Sequence, residues 1–213
     1  MENSRRSFLK KISVAGIGAA SIAMTGHAAE VVDMPKDDKK KKPVGKDDGK
    51  LRFGFIGSGE RCQEHISNVL GIQGNKIVAI CDTQQGPIQN TLKHISEFNV
   101  DAPKVYTGSE LAFMQMLENE TFDCVIIASP WEWHTKMAVA AMKAGVPYVG
   151  VEVSAANSLE ECWDLVNVSE ETGSNLNILE NVCYRRDCMA ALNMVRKGIF
   201  GELLHCECGY EHD

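Results

Sequence analysis

Leu51-Arg52-Phe53-Gly54-Phe55-Ile56-Gly57-Ser58-Gly59-Glu60-Arg61-Cys62 decides the fold. An apolar run of strand character ends in a Gly-x-Gly turn, and from Glu60 to Leu70 a helical pattern takes over, with Ile66, Val69 and Leu70 on one face. Gly57 permits a tight turn, and Gly59 lets the backbone approach a pyrophosphate held at the helix N-terminus. Cys62 stands where the third glycine of the fingerprint belongs, so the turn alone is weak evidence. Asp82 strengthens it, 25 residues past Gly57 and at the end of the next predicted strand. A carboxylate there accepts hydrogen bonds from an adenine-side ribose and repels a 2′-phosphate, which favours NAD over NADP. The plainer alternative for Asp82 is a strand-end turn residue.

Strand and helix then alternate along the chain. The pattern predicts strands at Lys76–Cys81, Val105–Tyr106, Asp123–Ala128, Pro147–Val151 and Leu176–Leu179. Between them it predicts helices over Gly86–Phe98, Ser109–Leu117 capped by Ser109, His134–Ala144 stopped by Gly145, and Ser158–Glu171 with a Ser158/Glu161 capping box. A last helix runs to about Lys197. This alternation means an α/β fold, a Rossmann-type doubly wound parallel sheet. After Gly198 one further strand, Leu203–Tyr210, reads as the start of a truncated α+β substrate domain. The expected organisation is a leader over 1–29, a charged linker over 30–50, a dinucleotide-binding domain over 51–198 and the beginning of a second domain over 199–213.

Ser129-Pro130-Trp131-Glu132-Trp133-His134 follows the fourth strand, at the carboxyl end of the sheet, where open α/β folds bind ligands. Two tryptophans there make a platform for a flat cofactor, or else fill core volume. His134 either faces the nicotinamide side or caps the helix, and the sequence leaves both open.

Ser4-Arg5-Arg6-Ser7-Phe8-Leu9-Lys10, followed by the mild apolar stretch Ile12–Ala23, has the form of a twin-arginine export signal, so a periplasmic location is expected. That stretch is short of the ~20 apolar residues a spanning helix needs, and no membrane span is expected in the mature protein. Residues 1–50 hold 11 Lys+Arg and 7 Asp+Glu, leaving 11 and 22 in residues 51–213. A body of net charge near −11 argues against nucleic acid as a partner. Homo-oligomerisation stays open. Of the eight cysteines only Cys206 and Cys208 lie close, and Cys-x-Cys on a strand is no zinc signature, so no metal is expected. Most of the thiols read as small core residues, with disulfides left as the alternative.

Gly57-x-Gly59-x-Arg61, Asp82, Ser129-Pro130 and the strand-end Glu152 together resemble the Gfo/Idh/MocA superfamily of NAD(P)-dependent sugar oxidoreductases. The blocks Trp131-Glu132-Trp133-His134, Glu152-Val153-Ser154, Glu180-Asn181-Val182-Cys183-Tyr184-Arg185-Arg186-Asp187 and Gly209-Tyr210-Glu211-His212-Asp213 narrow the resemblance to glycoside hydrolase family 109. Characterised members of that family are NAD-dependent α-N-acetylgalactosaminidases. The resemblance implies NAD contacts at Glu60, Arg61, Asp82, Trp131 to His134, Glu152, Val153 and Asn181, with a substrate contact at Tyr210. Further substrate-binding and acid/base residues are expected beyond Asp213, so residues 1–213 are expected to bind NAD without catalysing.

The implied reaction oxidises C3 of a terminal amino sugar transiently, eliminates the group at C1, adds water and re-reduces the ring. NAD-dependent glycosidases of this kind depart from the two-carboxylate scheme. Sugar dehydrogenases of the superfamily carry Glu-Lys-Pro where this chain has Glu152-Val153-Ser154, and Val153 cannot serve as a base. A reaction with no net redox change also suits export on one trapped cofactor. The alternatives are an exported NAD(P)-dependent sugar oxidoreductase and a non-enzymatic sugar-binding protein. Arg185-Arg186-Asp187 reads as a structural ion pair, with contact to a sugar as the alternative.

Overall fold

The computed structural model describes residues 48–207 and 209. The leader, most of the charged linker, Cys208 and Tyr210 lie outside the described residues. Six strands, β1 (Leu51–Ile56), β2 (Asn75–Cys81), β3 (Lys104–Tyr106), β4 (Cys124–Ile127), β5 (Tyr148–Val151) and β6 (Asn175–Ile178), form one sheet in the order β3-β2-β1-β4-β5-β6. Every pairing is parallel. The helices are α1 (Glu60–Leu70), α2 (Gln85–Ser96), α3 (Ala112–Asn119), α4 (Trp131–Lys143), α5 (Leu159–Thr172) and α6 (Arg186–Arg196). Strand order reverses between β1 and β4, the switch point at whose carboxyl end open parallel sheets bind ligands.

Side chains alternate across the sheet and feed two cores. Phe55 joins Cys62, Ile66, Ile80, Ile88 and Ile95 under α1 and α2. Its neighbour Ile56 joins Phe113, Met116, Val125, Ile127, Met137 and Val151 under α3, α4 and α5. Cys62 is fully buried in the first core. A thiol in place of the missing glycine is thus accommodated as a small apolar residue, and burial pushes its pKa up to about 12.

Most element boundaries fall within a residue or two of the pattern, with three corrections. α4 begins at Trp131, not His134: Pro130 is its N-cap residue, and Trp133 N–H donates to Pro130 O at 3.0 Å, so Trp-Glu-Trp-His forms the first turn. A proline fixes the φ that chain entry into a helix needs. α3 begins at Ala112 because Ser109 spends its hydroxyl on Leu111 N–H, 3.1 Å away, in a turn before the helix. No strand forms over 203–207, and these residues are exposed. A strand persists only when another strand pairs its backbone, and none of the described strands reaches this segment.

At α5 the Ser158 hydroxyl accepts from Glu161 N–H at 3.1 Å, as expected, but the Glu161 carboxylate reaches Asn157 N–H at 2.6 Å instead of closing the box on Ser158. Gly173 ends the helix at φ 73°. Among the described residues no helix is long and apolar enough to cross a membrane.

Candidate dinucleotide site

The turn after β1 needs glycine twice over. Gly57 sits at φ 94°, and a Cβ there would lie 2.4 Å from Ala128 O, at the end of β4. The two loops flanking the switch point therefore touch backbone to backbone. A Cβ on Gly59 would meet nothing within 4 Å, so its missing side chain leaves the approach to α1 open. Among the described residues no side chain caps α1, so its first amides can meet an anion, helped by the positive end of the helix.

Asp82 braces this turn from β2. Its Oδ2 accepts from Ser58 N–H at 2.7 Å and its Oδ1 from Gln84 N–H at 2.9 Å. Thr91, buried on α2, donates to Ser58 O at 3.1 Å. Ser58 Oγ is itself buried with no hydrogen-bond partner among the described residues. Asp82 and Gly57, with Thr83, Ser109, Ser129, Pro130 and Trp133 among others, line a cavity of about 210 Å³ at the carboxyl ends of β1, β2 and β4.

The two tryptophans have different surroundings. Trp133 is half-buried, edge-on to Phe113 at 6.3 Å between centroids, with the Lys136 ammonium 5.0 Å from its ring centre. Trp131 is 64% exposed, fastened by a bond from Asn157 Nδ2 to its carbonyl at 3.1 Å. Glu132 and Glu60 are exposed.

His134 is 1% exposed, with Nδ1 2.7 Å from Ser154 O and Nε2 2.7 Å from Ser129 O. It ties the loop after β4 to the loop after β5. Both partners are carbonyl oxygens, so a neutral ring donates to only one of them. Thr135 adds a bond to Ala155 O at 2.9 Å. The sequence offered His134 as nicotinamide neighbour or cap; its place is between two loops, with both nitrogens turned to backbone.

Glu152, just past β5, accepts from Arg61 Nε at 2.7 Å and lies 2.6 Å from His65 Nε2. Arg61 also bonds Glu64. Burial, the largest single influence, raises the Glu152 pKa, but the hydrogen bonds from His65 and Arg61 and the charges of the two together outweigh it and hold the carboxyl below its ordinary value. Val153 follows, 42% exposed. Asn181 is exposed after β6, its carbonyl accepting from Tyr184 N–H. Arg185 and Asp187 pair at 2.8 Å on the surface. Sequence reasoning missed His65, Thr91 and Phe113. Of these only His65 left a signal, lying four residues past Arg61 on the same helix face.

A β3-β2-β1-β4-β5-β6 parallel sheet with a glycine turn and a strand-end aspartate at its switch point defines a dinucleotide-binding Rossmann domain. Comparison with known proteins agrees. Residues 51–178 match the Gfo/Idh/MocA model, described as the oxidoreductase family with the NAD-binding Rossmann fold, and residues 184–213 match the glycosyl hydrolase 109 C-terminal domain. The chain belongs to the Gfo/Idh/MocA oxidoreductase family.

It is 76% identical over its whole length to a glycosyl hydrolase family 109 protein of Parabacteroides distasonis and covers 46% of that protein. It is 73% identical, with the same two shares, to an alpha-N-acetylgalactosaminidase of Tannerella forsythia. The chain thus spans about half the length of these relatives. Among solved structures, the WlbA dehydrogenase of Bordetella pertussis in complex with NADH and UDP-GlcNAcA superposes with a TM-score of 0.62 at 23% identity, over 71% of this chain and 43% of that one. Scyllo-inositol dehydrogenase of Lactobacillus casei with bound NAD(H) gives 0.63 at 19%, over 72% and 43%. Both share the fold.

The cofactor is NAD, and the residues present fit it. The open approach over Gly59 and the uncapped start of α1 suit a pyrophosphate, and the Asp82 carboxylate at the cavity wall suits a ribose with free hydroxyls.

Proposed function

We propose that the protein to which this chain belongs is an exported, NAD-dependent glycoside hydrolase acting on a terminal amino sugar, with an α-N-acetylgalactosaminide as the substrate its relatives point to. The observation that carries this is Val153, partly exposed beside Glu152 at the end of β5, where sugar dehydrogenases of the superfamily place a lysine. An isopropyl group can neither accept the proton of a hydroxyl under oxidation nor polarise it, which disfavours a simple alcohol dehydrogenase.

NAD, when bound, supplies reversible hydride transfer at C3 of the sugar, which is what lets the C1 bond break by elimination and leaves no net redox change. This chain's residues bind and orient. Gly57, Gly59 and the start of α1 receive the pyrophosphate, Asp82 accepts from the adenine-side ribose, and Trp133 walls the cavity. Arg61 and Glu152, with Trp131 to Trp133 and Asn181, border the nicotinamide side, while His134 holds the loops after β4 and β5 together. Tyr210 is assigned to the substrate on resemblance, and the acid and base to the part of the protein beyond Asp213. Export through the twin-arginine route to the periplasm rests on Arg5-Arg6 and fits a cofactor loaded once and retained.

The intact protein, incubated with an aryl α-N-acetylgalactosaminide in D₂O, is expected to release aglycone without accumulating NADH and to carry deuterium at C2 of the product. NADH accumulating in step with product would replace this reading with that of a sugar oxidoreductase. Folded protein that binds no NAD would favour a non-catalytic sugar-binding role. In cells, Arg5-Arg6→Lys-Lys is expected to hold the protein in the cytoplasm.

A further inference from the structure

Glu152 is joined to a helix that starts on the far side of the switch point. α1 leaves the turn after β1, while Glu152 follows β5, two strands away across β4. Arg61 and His65 stand four residues apart, so helical geometry places them one above the other. Both reach the same atom, Glu152 Oε1, at 2.7 and 2.6 Å. The two donors are not equivalent. Arg61 is 35% exposed and shares its guanidinium with Glu64, itself on the surface. His65 is 13% exposed, and its Nε2 faces Glu152. The second carboxylate oxygen, Oε2, has only a long 3.4 Å contact from Val153 N–H among the described residues.

A carboxylate held at one oxygen by a single partly exposed guanidinium, itself shared with Glu64, can swing about its own torsions. A second donor from the same rigid helix removes that freedom and fixes where the other oxygen points. We propose that His65 is a positioning residue for the dinucleotide site: with Arg61 it clamps Glu152 Oε1, so that Oε2 is presented as an acceptor to a hydroxyl or amide donor of bound NAD. His65 itself touches no ligand. The proposal rests on the assignment of this crevice to NAD and adds the residue that orients one of its contacts.

The test uses the intact protein freed of nucleotide, with NAD affinity read by tryptophan fluorescence and the acid limb of thermal unfolding read without NAD. His65→Leu is expected to weaken NAD about tenfold, the scale of one hydrogen bond to a charged group, and to flatten the acid limb. His65→Gln, which keeps an N–H donor near the Nε2 position, is expected to stay within about threefold of wild type. His65→Asn, too short to reach Oε1, should follow His65→Leu and replaces it if that variant does not fold. Unchanged affinity in His65→Leu or His65→Asn, while Asp82→Ala weakens NAD, overturns the proposal and leaves the cofactor assignment standing. His65→Gln as weak as His65→Asn also overturns it. Folded wild type that binds no NAD overturns the cofactor assignment and the proposal together.

Discussion

Gly57 carries two constraints that no other side chain meets, a left-handed φ and backbone contact with Ala128. The conformation alone costs a residue with a Cβ about 1–3 kcal/mol, and the 2.4 Å approach to a carbonyl adds to it. Gly57→Ala is therefore expected to lower the urea midpoint sharply and to abolish NAD binding by displacing the turn. At Glu152 the sign of the pH effect follows from its partners. The carboxyl titrates below its ordinary value of 4.5 in the folded state. Its contribution is complete above the unfolded value and is lost as pH falls through the folded one. Below about pH 4.5 wild type should lose stability faster than Glu152→Gln, and superimposable unfolding curves for the two across that range would refute the pairing. Gly57 and Asp82 were legible from spacing because both act within one strand–turn–helix unit. The clamp on Glu152 was not, since Arg61 and Glu152 are 91 residues apart and meet only because β4 and β5 add to one side of β1.

The helix starts show where local pattern suffices and where it fails. Ser158 behaves as its sequence predicts, and Ser158→Ala should cost about 1 kcal/mol, a fall of roughly 2–4 °C in Tm for a chain of this size. Ser109 has the same residue type in a similar setting, yet its hydroxyl serves a turn before α3. Short-range hydrogen bonds of serine compete with capping, and here the bond to Leu111 N–H wins. At α4 the apolar periodicity marks the buried face but not the first turn. Trp131, Glu132 and Trp133 are helical because Pro130 sets the entry and because His134, pinned between Ser129 and Ser154, fixes the axis. α6 has an apolar stripe, with Met189, Leu192 and Val195 partly exposed, and in the described residues it packs mainly on the Val182–Tyr184 turn.

For the molecule as a whole, ligand binding should register as stability. If NAD binds the folded intact protein alone, a hundredfold excess over Kd adds about 2.7 kcal/mol, which raises Tm by roughly 5–10 °C. NADP should give a smaller shift, because Asp82 would face its 2′-phosphate. Asp82→Ala should shrink the NAD shift and also lower the apo Tm, since Ser58 N–H would lose its acceptor inside the protein. By itself the sequence determined the alternation of strands and helices, the dinucleotide turn and the resemblance to the family, because each is written in residues close together along the chain. Only the tertiary structure decided that Trp133 packs against Phe113 while Trp131 faces solvent, that His134 joins two loops, and that α1 holds Glu152 through two donors. Those contacts depend on which strands lie side by side, and strand order arises from burying two apolar faces at once, a condition no single segment of the chain contains.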